Sequence, residues 1–99
     1  MELKDFLEKV KDWSDETLMR ARATVGSWLA RELSRAAEAG DEEEALERAY
    51  AYAAVQLCLT YAFFRDPAYK RMAEVCYECC DTSCFERIAE DIVMTYGVK

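Results

Sequence analysis

The sequence predicts an all-α fold: a single-domain compact bundle of about five helices with a central apolar third helix. Three observations carry this. Backbone breakers are scarce, with 3 Gly and 1 Pro in 99 residues, whereas an all-β chain needs a turn about every 8–12 residues. Apolar residues recur at three- and four-residue steps, the spacing of one helical stripe. Good capping residues stand at nearly every junction between stripes. Residues 1–99 are read as one domain. A chain of this size buries roughly two-thirds of its unfolded surface, enough for one core.

The first helix is predicted over about Glu2–Asp12, with Leu3, Phe6, Leu7 and Val10 on one stripe that continues to Trp13. Ser14 is the expected N-cap of a second helix over Asp15–Glu38, and Asp15 and Glu16 suit the positive end of its dipole. Its stripe is Leu18, Ala21, Val25, Trp28, Leu29, Leu33 and Ala36, and Gly40 offers a left-handed stop. Asp41 with Glu44 forms a capping-box variant for a third helix over Glu42–Arg65. From Ala49 to Phe64 this helix is apolar on every side, and such a helix must be surrounded. Its core face is expected to hold Leu46, Tyr50, Ala53, Leu57 and Phe64. Asp66-Pro67 opens a fourth helix over Pro67–Cys80, with Ala68, Met72, Val75, Cys76 and Cys79 facing inward. Ser83 with Glu86 caps a fifth over Cys84–Tyr96, packed through Phe85, Ile88, Ile92 and Tyr96 and stopped at Gly97.

Composition narrows function. The net charge of -7 opposes binding to nucleic acid and to anionic membrane. The longest nearly uncharged stretch, Ala49–Phe64, is 16 residues, short of the ~20 that span a bilayer. The charged N-terminal segment lacks the apolar core of a signal peptide, so a cytoplasmic location is expected. Histidine is absent, which removes the commonest general base and metal ligand. Neither glycine-rich phosphate loop is present. The Glu74/Glu78 and Glu86/Glu90 pairs lie away from the apolar stripes, where nothing desolvates them. No enzyme and no cofactor are expected.

Three features carry what chemistry there is. Cys76, Cys79, Cys80 and Cys84 read C-x2-C-C-x3-C, with Cys58 apart. Four thiolates suffice for a metal, but the second C-x2-C of a zinc ribbon is missing. Small apolar core residues are the preferred reading, with a disulfide or metal as alternatives. On the second helix, Arg20, Thr24, Ser27, Arg31, Ser34 and Arg35 oppose the apolar stripe with no acid among them. Such a strip is a solvated face or a dock for an acidic segment of another chain. Arg22 and Glu32 fall inside the apolar arc, where each needs a partner or a route to water.

The function expected is a non-catalytic bundle acting through protein–protein interaction or self-association, as a homodimer or with another protein partner. Nucleic acid and membrane are not expected as partners. The consistent capping is also what a designed scaffold displays. The alternatives are a cysteine-ligated metal or redox-sensing module, with Cys76, Cys79, Cys80 and Cys84 as ligands, and a small-molecule-binding bundle. The interface expected is the side of the third helix opposite Leu46–Leu57, namely Tyr52, Val55, Leu59 and Phe63, with Arg20, Arg31 and Arg35 as the charged strip.

Overall fold

A computed structural model describes residues 1–40 and 42–97. Five helices follow one another: α1 (Leu3–Val10), α2 (Asp15–Ala39), α3 (Glu43–Phe64), α4 (Pro67–Cys79) and α5 (Thr82–Tyr96). No strand occurs among the described residues. The molecule measures 39 × 23 × 21 Å, its long dimension matching the longest helix at ~1.5 Å per residue.

Local chemistry sets the helix ends. The Ser14 side chain accepts a hydrogen bond from the Thr17 amide, satisfying an otherwise orphaned donor of α2. Gly40 ends α2 with φ of 70°, a conformation that costs glycine little. Asp41, the expected cap of α3, lies outside the described residues, and Glu42 occupies the N-cap position. Asp66 caps α4 by accepting from the Ala68 amide, with Pro67 in the first turn. The fifth helix begins earlier than expected. Asp81, not Ser83, is its cap, accepting from the amides of both Ser83 and Cys84. A carboxylate at the positive end of a helix dipole holds two amides better than a neutral hydroxyl holds one.

Arg65 ends α3 in the left-handed region, with φ of 63°. A side-chain-bearing residue there costs on the order of 1 kcal/mol. Its guanidinium offsets this by donating to the carbonyls of Ala62 and Lys11, tying α3 to the end of α1. At the opposite end of α3 the Asp81 amide donates to the Glu47 carbonyl and anchors the α4–α5 junction. Gly97 has ordinary backbone angles; a Cβ there would meet the Val93 carbonyl at 2.7 Å and Trp13 at 3.0 Å, so close approach requires the glycine.

The bundle has two layers. α2, α3 and α4 form the first, with α3 in the middle and antiparallel to both neighbours. Glu32 beside Arg48 and Trp28 against Tyr52 fix the α2–α3 pairing. Phe64 against Tyr69 at one end and the Asp81 amide on the Glu47 carbonyl at the other fix that of α3 with α4. α1 and α5 form the second layer and bring Phe6, Val10, Phe85, Ile88 and Ile92 onto α3. These meet Ala51, Ala54, Val55, Cys58 and Leu59, all fully buried. The third helix is central, as its apolar character demands, but the orientation expected for it is reversed. Leu46, Tyr50 and Phe64 are 44%, 41% and 54% exposed, while Val55 and Leu59 are the core.

Two further expectations are corrected. Leu33 of α2 is exposed, and Glu32 takes the inward place beside Ala36. On α4 the face towards α3 is centred on Ala73, so Met72, Val75 and Cys79 point outward. Helices approach closely where side chains are small, so the alanine-rich side of α3 and the Ala73 side of α4 are the packed ones.

Candidate interaction surface

Looking down α3, one flank is occupied by α2, the other by α4, and a third side by α1 and α5 together. No described helix covers the fourth side. Helical spacing assigns residues to it. On α3 they are Leu46, Tyr50, Ala53, Leu57 and Phe64, a stripe with no charge. On α2 the neighbouring stripe is Met19, Ala23, Gly26, Ala30, Leu33 and Ala37. On α4 it is Ala68, Met72, Val75 and Cys79. The antiparallel pairings turn all three stripes the same way, opposite α1 and α5.

Exposure agrees with this assignment. Among the described residues eight large hydrophobic side chains are exposed. Seven of them, Met19, Leu33, Leu46, Tyr50, Phe64, Met72 and Val75, lie on this one face; only Met94, on α5, lies elsewhere. Scattered exposed apolar residues are ordinary on a protein surface, but a contiguous set is not. The stripe on α3 alone runs about 27 Å from Leu46 to Phe64 at the helical rise.

The rim is held by a cation over aromatic rings. The Arg22 guanidinium lies 5.2 Å from the centre of the Phe63 ring and 5.3 Å from that of Phe64. Arg22 therefore finds its partner by stacking on aromatic faces. Its Nε and the Oε1 of Gln56 are buried without a hydrogen-bond partner, while the Gln56 amide group donates to the Arg22 carbonyl. Glu32 is resolved differently. Its carboxylate is buried and accepts from Arg35 at 2.8 Å, with Arg48 at 3.7 Å. The half-exposed arginines carry the pair's charge towards water, which limits the desolvation cost.

The residues expected to form the interface are dispersed. Val55 and Leu59 are fully buried within the chain. Tyr52 and Phe63 are partly buried and pack against the core, Tyr52 edge-on to Trp28. The arginine strip is not a free positive face. Arg20 is paired with Glu16 and Arg35 with Glu32, and the Thr24 hydroxyl is hydrogen-bonded to Tyr96 of α5. Arg31 remains exposed.

Cys76 and Cys80 pack against the same core cluster that holds Cys84 and Cys58. All five are free thiols: Cys58 and Cys84 are buried, Cys76 and Cys80 partly so, and Cys79 is exposed. Among the described residues no three Cys, Asp or Glu side chains are placed to hold a metal ion. α4 stops at Cys79, one residue short of the expected Cys80, which donates its S–H to the Tyr77 carbonyl. Burial raises the thiols of Cys58, Cys76 and Cys84 above the ordinary 9.0 and pushes Cys80 up to about 11.

These raised thiols make stability sensitive to high pH. The folded chain holds their protons where the unfolded chain releases them, so their contribution to stability is constant below about pH 8 and falls as pH rises through 9 to 11. Denaturation midpoints across that range measure it. Cys58→Ala is expected to make the fall shallower, and an equally steep fall in that variant would contradict the assignment.

The covered side of the molecule carries a cleft of about 420 Å³ between α1, α3 and α4, lined by Leu7, Lys11, Tyr61, Arg65, Lys70 and Glu74. It opens to solvent and mixes both signs of charge. No described helix is long and apolar enough to cross a membrane. Comparison with known proteins found no matching family model, no matching curated relative and no matching solved structure.

Proposed function

We propose that this chain is a non-catalytic protein-interaction module that docks its partner on the bare face of the α2–α3–α4 layer. The observation that carries the reading is the gathering of seven of the eight exposed large hydrophobics on that single face. Folding alone does not require them there. A two-layer bundle is stabilised by the side facing α1 and α5, and polar residues on the outer side would serve solubility better. An apolar face rimmed by Arg22, Arg71 and Glu78 has the composition of an interface: an uncharged centre with aromatic, methionine and leucine side chains, and charge at the edge.

Oxidative footprinting tests the site. Met19 and Met72 lie on the face at 55% and 51% exposure, and Met94 lies off it at 72%. Docking is expected to slow oxidation of Met19 and Met72 several-fold while Met94 keeps its rate. Protection of Met94 with Met19 and Met72 still reactive would place the docking surface elsewhere.

A further inference from the structure

We infer that the occupant of this face is a second copy of the chain, paired about a two-fold axis with α3 antiparallel to α3 of the partner. The inference rests on the docking-module reading and adds the occupant to it.

Area supports self-pairing. Aromatic side chains carry on the order of 150–250 Å² each, and Met, Leu and Val somewhat less. Seven of them at about half exposure place roughly 600 Å² of apolar surface on the face, the upper end of what a monomer carries as its largest patch. Two copies face to face bring together about 1,200 Å², where stable interfaces begin. Leu57, Ala53 and Cys79 add to that. The stripe on α3 has no ionic group, so two chains of net charge -7 meet there without opposing charges at the centre.

Charge at the two ends selects the antiparallel arrangement. At the end where α3 begins, Glu38, Glu42, Glu43, Glu44 and Glu47 outnumber Arg35 and Arg48. At the end where α3 finishes, Arg65, Lys70 and Glu74 line the cleft on the covered side, and Arg20, Arg22 and Arg71 balance Asp15, Glu16 and Asp66. Parallel pairing would stack the two acidic ends on each other. Antiparallel pairing lays each acidic end over the balanced end of the partner and so avoids the like-charge contact that disfavours a wrong register. It also matches shape. With the axis crossing α3 between Ala53 and Leu57, Leu57 meets Ala53 of the partner subunit, a large side chain against a small one. Leu46 then lies near Phe64 of the partner subunit. Cys79 is covered by the pairing, although it is the exposed thiol of the free chain.

The test combines solution mass with alkylation of Cys79 by iodoacetamide, in the parent and in Leu57→Glu. Expected are a two-chain mass for the parent at micromolar concentration and a single-chain mass for Leu57→Glu with helicity retained. Cys79 alkylation is expected to be at least tenfold faster in the variant. A single-chain parent whose Cys79 reacts as fast as in the variant would overturn the second copy and leave the face to a different partner. A single-chain parent with Cys79 protected would overturn the docking reading as well, because the face would then be covered within the chain. A two-chain mass that survives Leu57→Glu, with Cys79 reactive, would place the dimer on another surface and overturn the inference. Orientation is read in a Cys79→Ser background by mixing Leu46→Cys and Phe64→Cys chains under oxidised glutathione. Mixed disulfides should exceed those of either chain alone by tenfold. Preferential linking of Leu46→Cys chains to one another would overturn the antiparallel arrangement.

Discussion

Leu59→Ala is expected to lower stability by about 2–5 kcal/mol, while Leu46→Ala, on the opposite side of the same helix, costs less than about 1 kcal/mol in single chains. The difference follows from where the two leucines sit. Leu59 is fully buried among the residues that α1 and α5 bring onto α3, so truncation leaves a cavity that close packing prevents from collapsing. Leu46 is 44% exposed and loses little that water does not already touch. Leu57 falls between them, partly buried against the core cluster. Urea denaturation of single-chain protein measures all three. Equal losses at Leu59 and Leu46 would mean that α3 is turned differently about its axis.

Phe85→Ala should cost about 3–5 kcal/mol, among the largest losses any single truncation here produces. Phe85 is fully buried and sits where three helices meet. Its ring is edge-on to Phe6 of α1 at 6.1 Å between centres and edge-on to Tyr77 of α4 at 4.9 Å. Removing it deletes the apolar burial and both aromatic contacts, each pair being worth roughly 0.5–1.5 kcal/mol beyond its area. It also loosens the attachment of the short α1, whose buried residues are Leu3, Phe6 and Val10. The measurement is the denaturation midpoint of Phe85→Ala beside Phe85→Leu. Leu should recover more than half of the loss, because it refills most of the volume. A loss under about 1 kcal/mol for Phe85→Ala would contradict the packing of α1 and α5 on α3.

The helices are legible in the sequence because caps and stripes are local. Ser14, Gly40 and Asp66-Pro67 act at their own positions, and each boundary they mark lies within about a residue of the observed one. Asp81 is harder to find because Ser83 and Glu86 fit a known capping pattern; only the competition of a carboxylate for the same amides decides between them. The outward side of α3 is not legible by the same means. Periodicity finds an apolar face, and this helix is apolar all round. Size alone points to the side bearing Leu46, Tyr50, Leu57 and Phe64 as the core, and that is the wrong side. A usable signal is present in the alanines. Ala45, Ala49, Ala51, Ala54 and Ala62 are all buried, because they let the four neighbouring helices come close. The large residues are left on the side without a neighbour. The same preference for size turns Met72 and Cys79 inward on α4, where the structure has them outward. The inward Glu32 is visible as a polar residue in an apolar arc, and its nearer partner Arg35 stands three residues on in the same helix; only Arg48, on α3, is beyond the reach of spacing rules.

One face of the α2–α3–α4 layer is apolar and bare among the described residues, and the proposed second copy covers it. Methyl spectra recorded with a soluble paramagnetic probe test it most directly. In single-chain Leu57→Glu, the methyl signals of Met19, Leu33, Leu46 and Met72 should be strongly weakened, while those of Val55 and Leu59 stay sharp. In the parent at micromolar concentration, the same four should regain intensity, and Met94, exposed on α5, should remain weakened. Weakening of Val55 and Leu59, or equal weakening of the four face residues in parent and variant, would contradict the account.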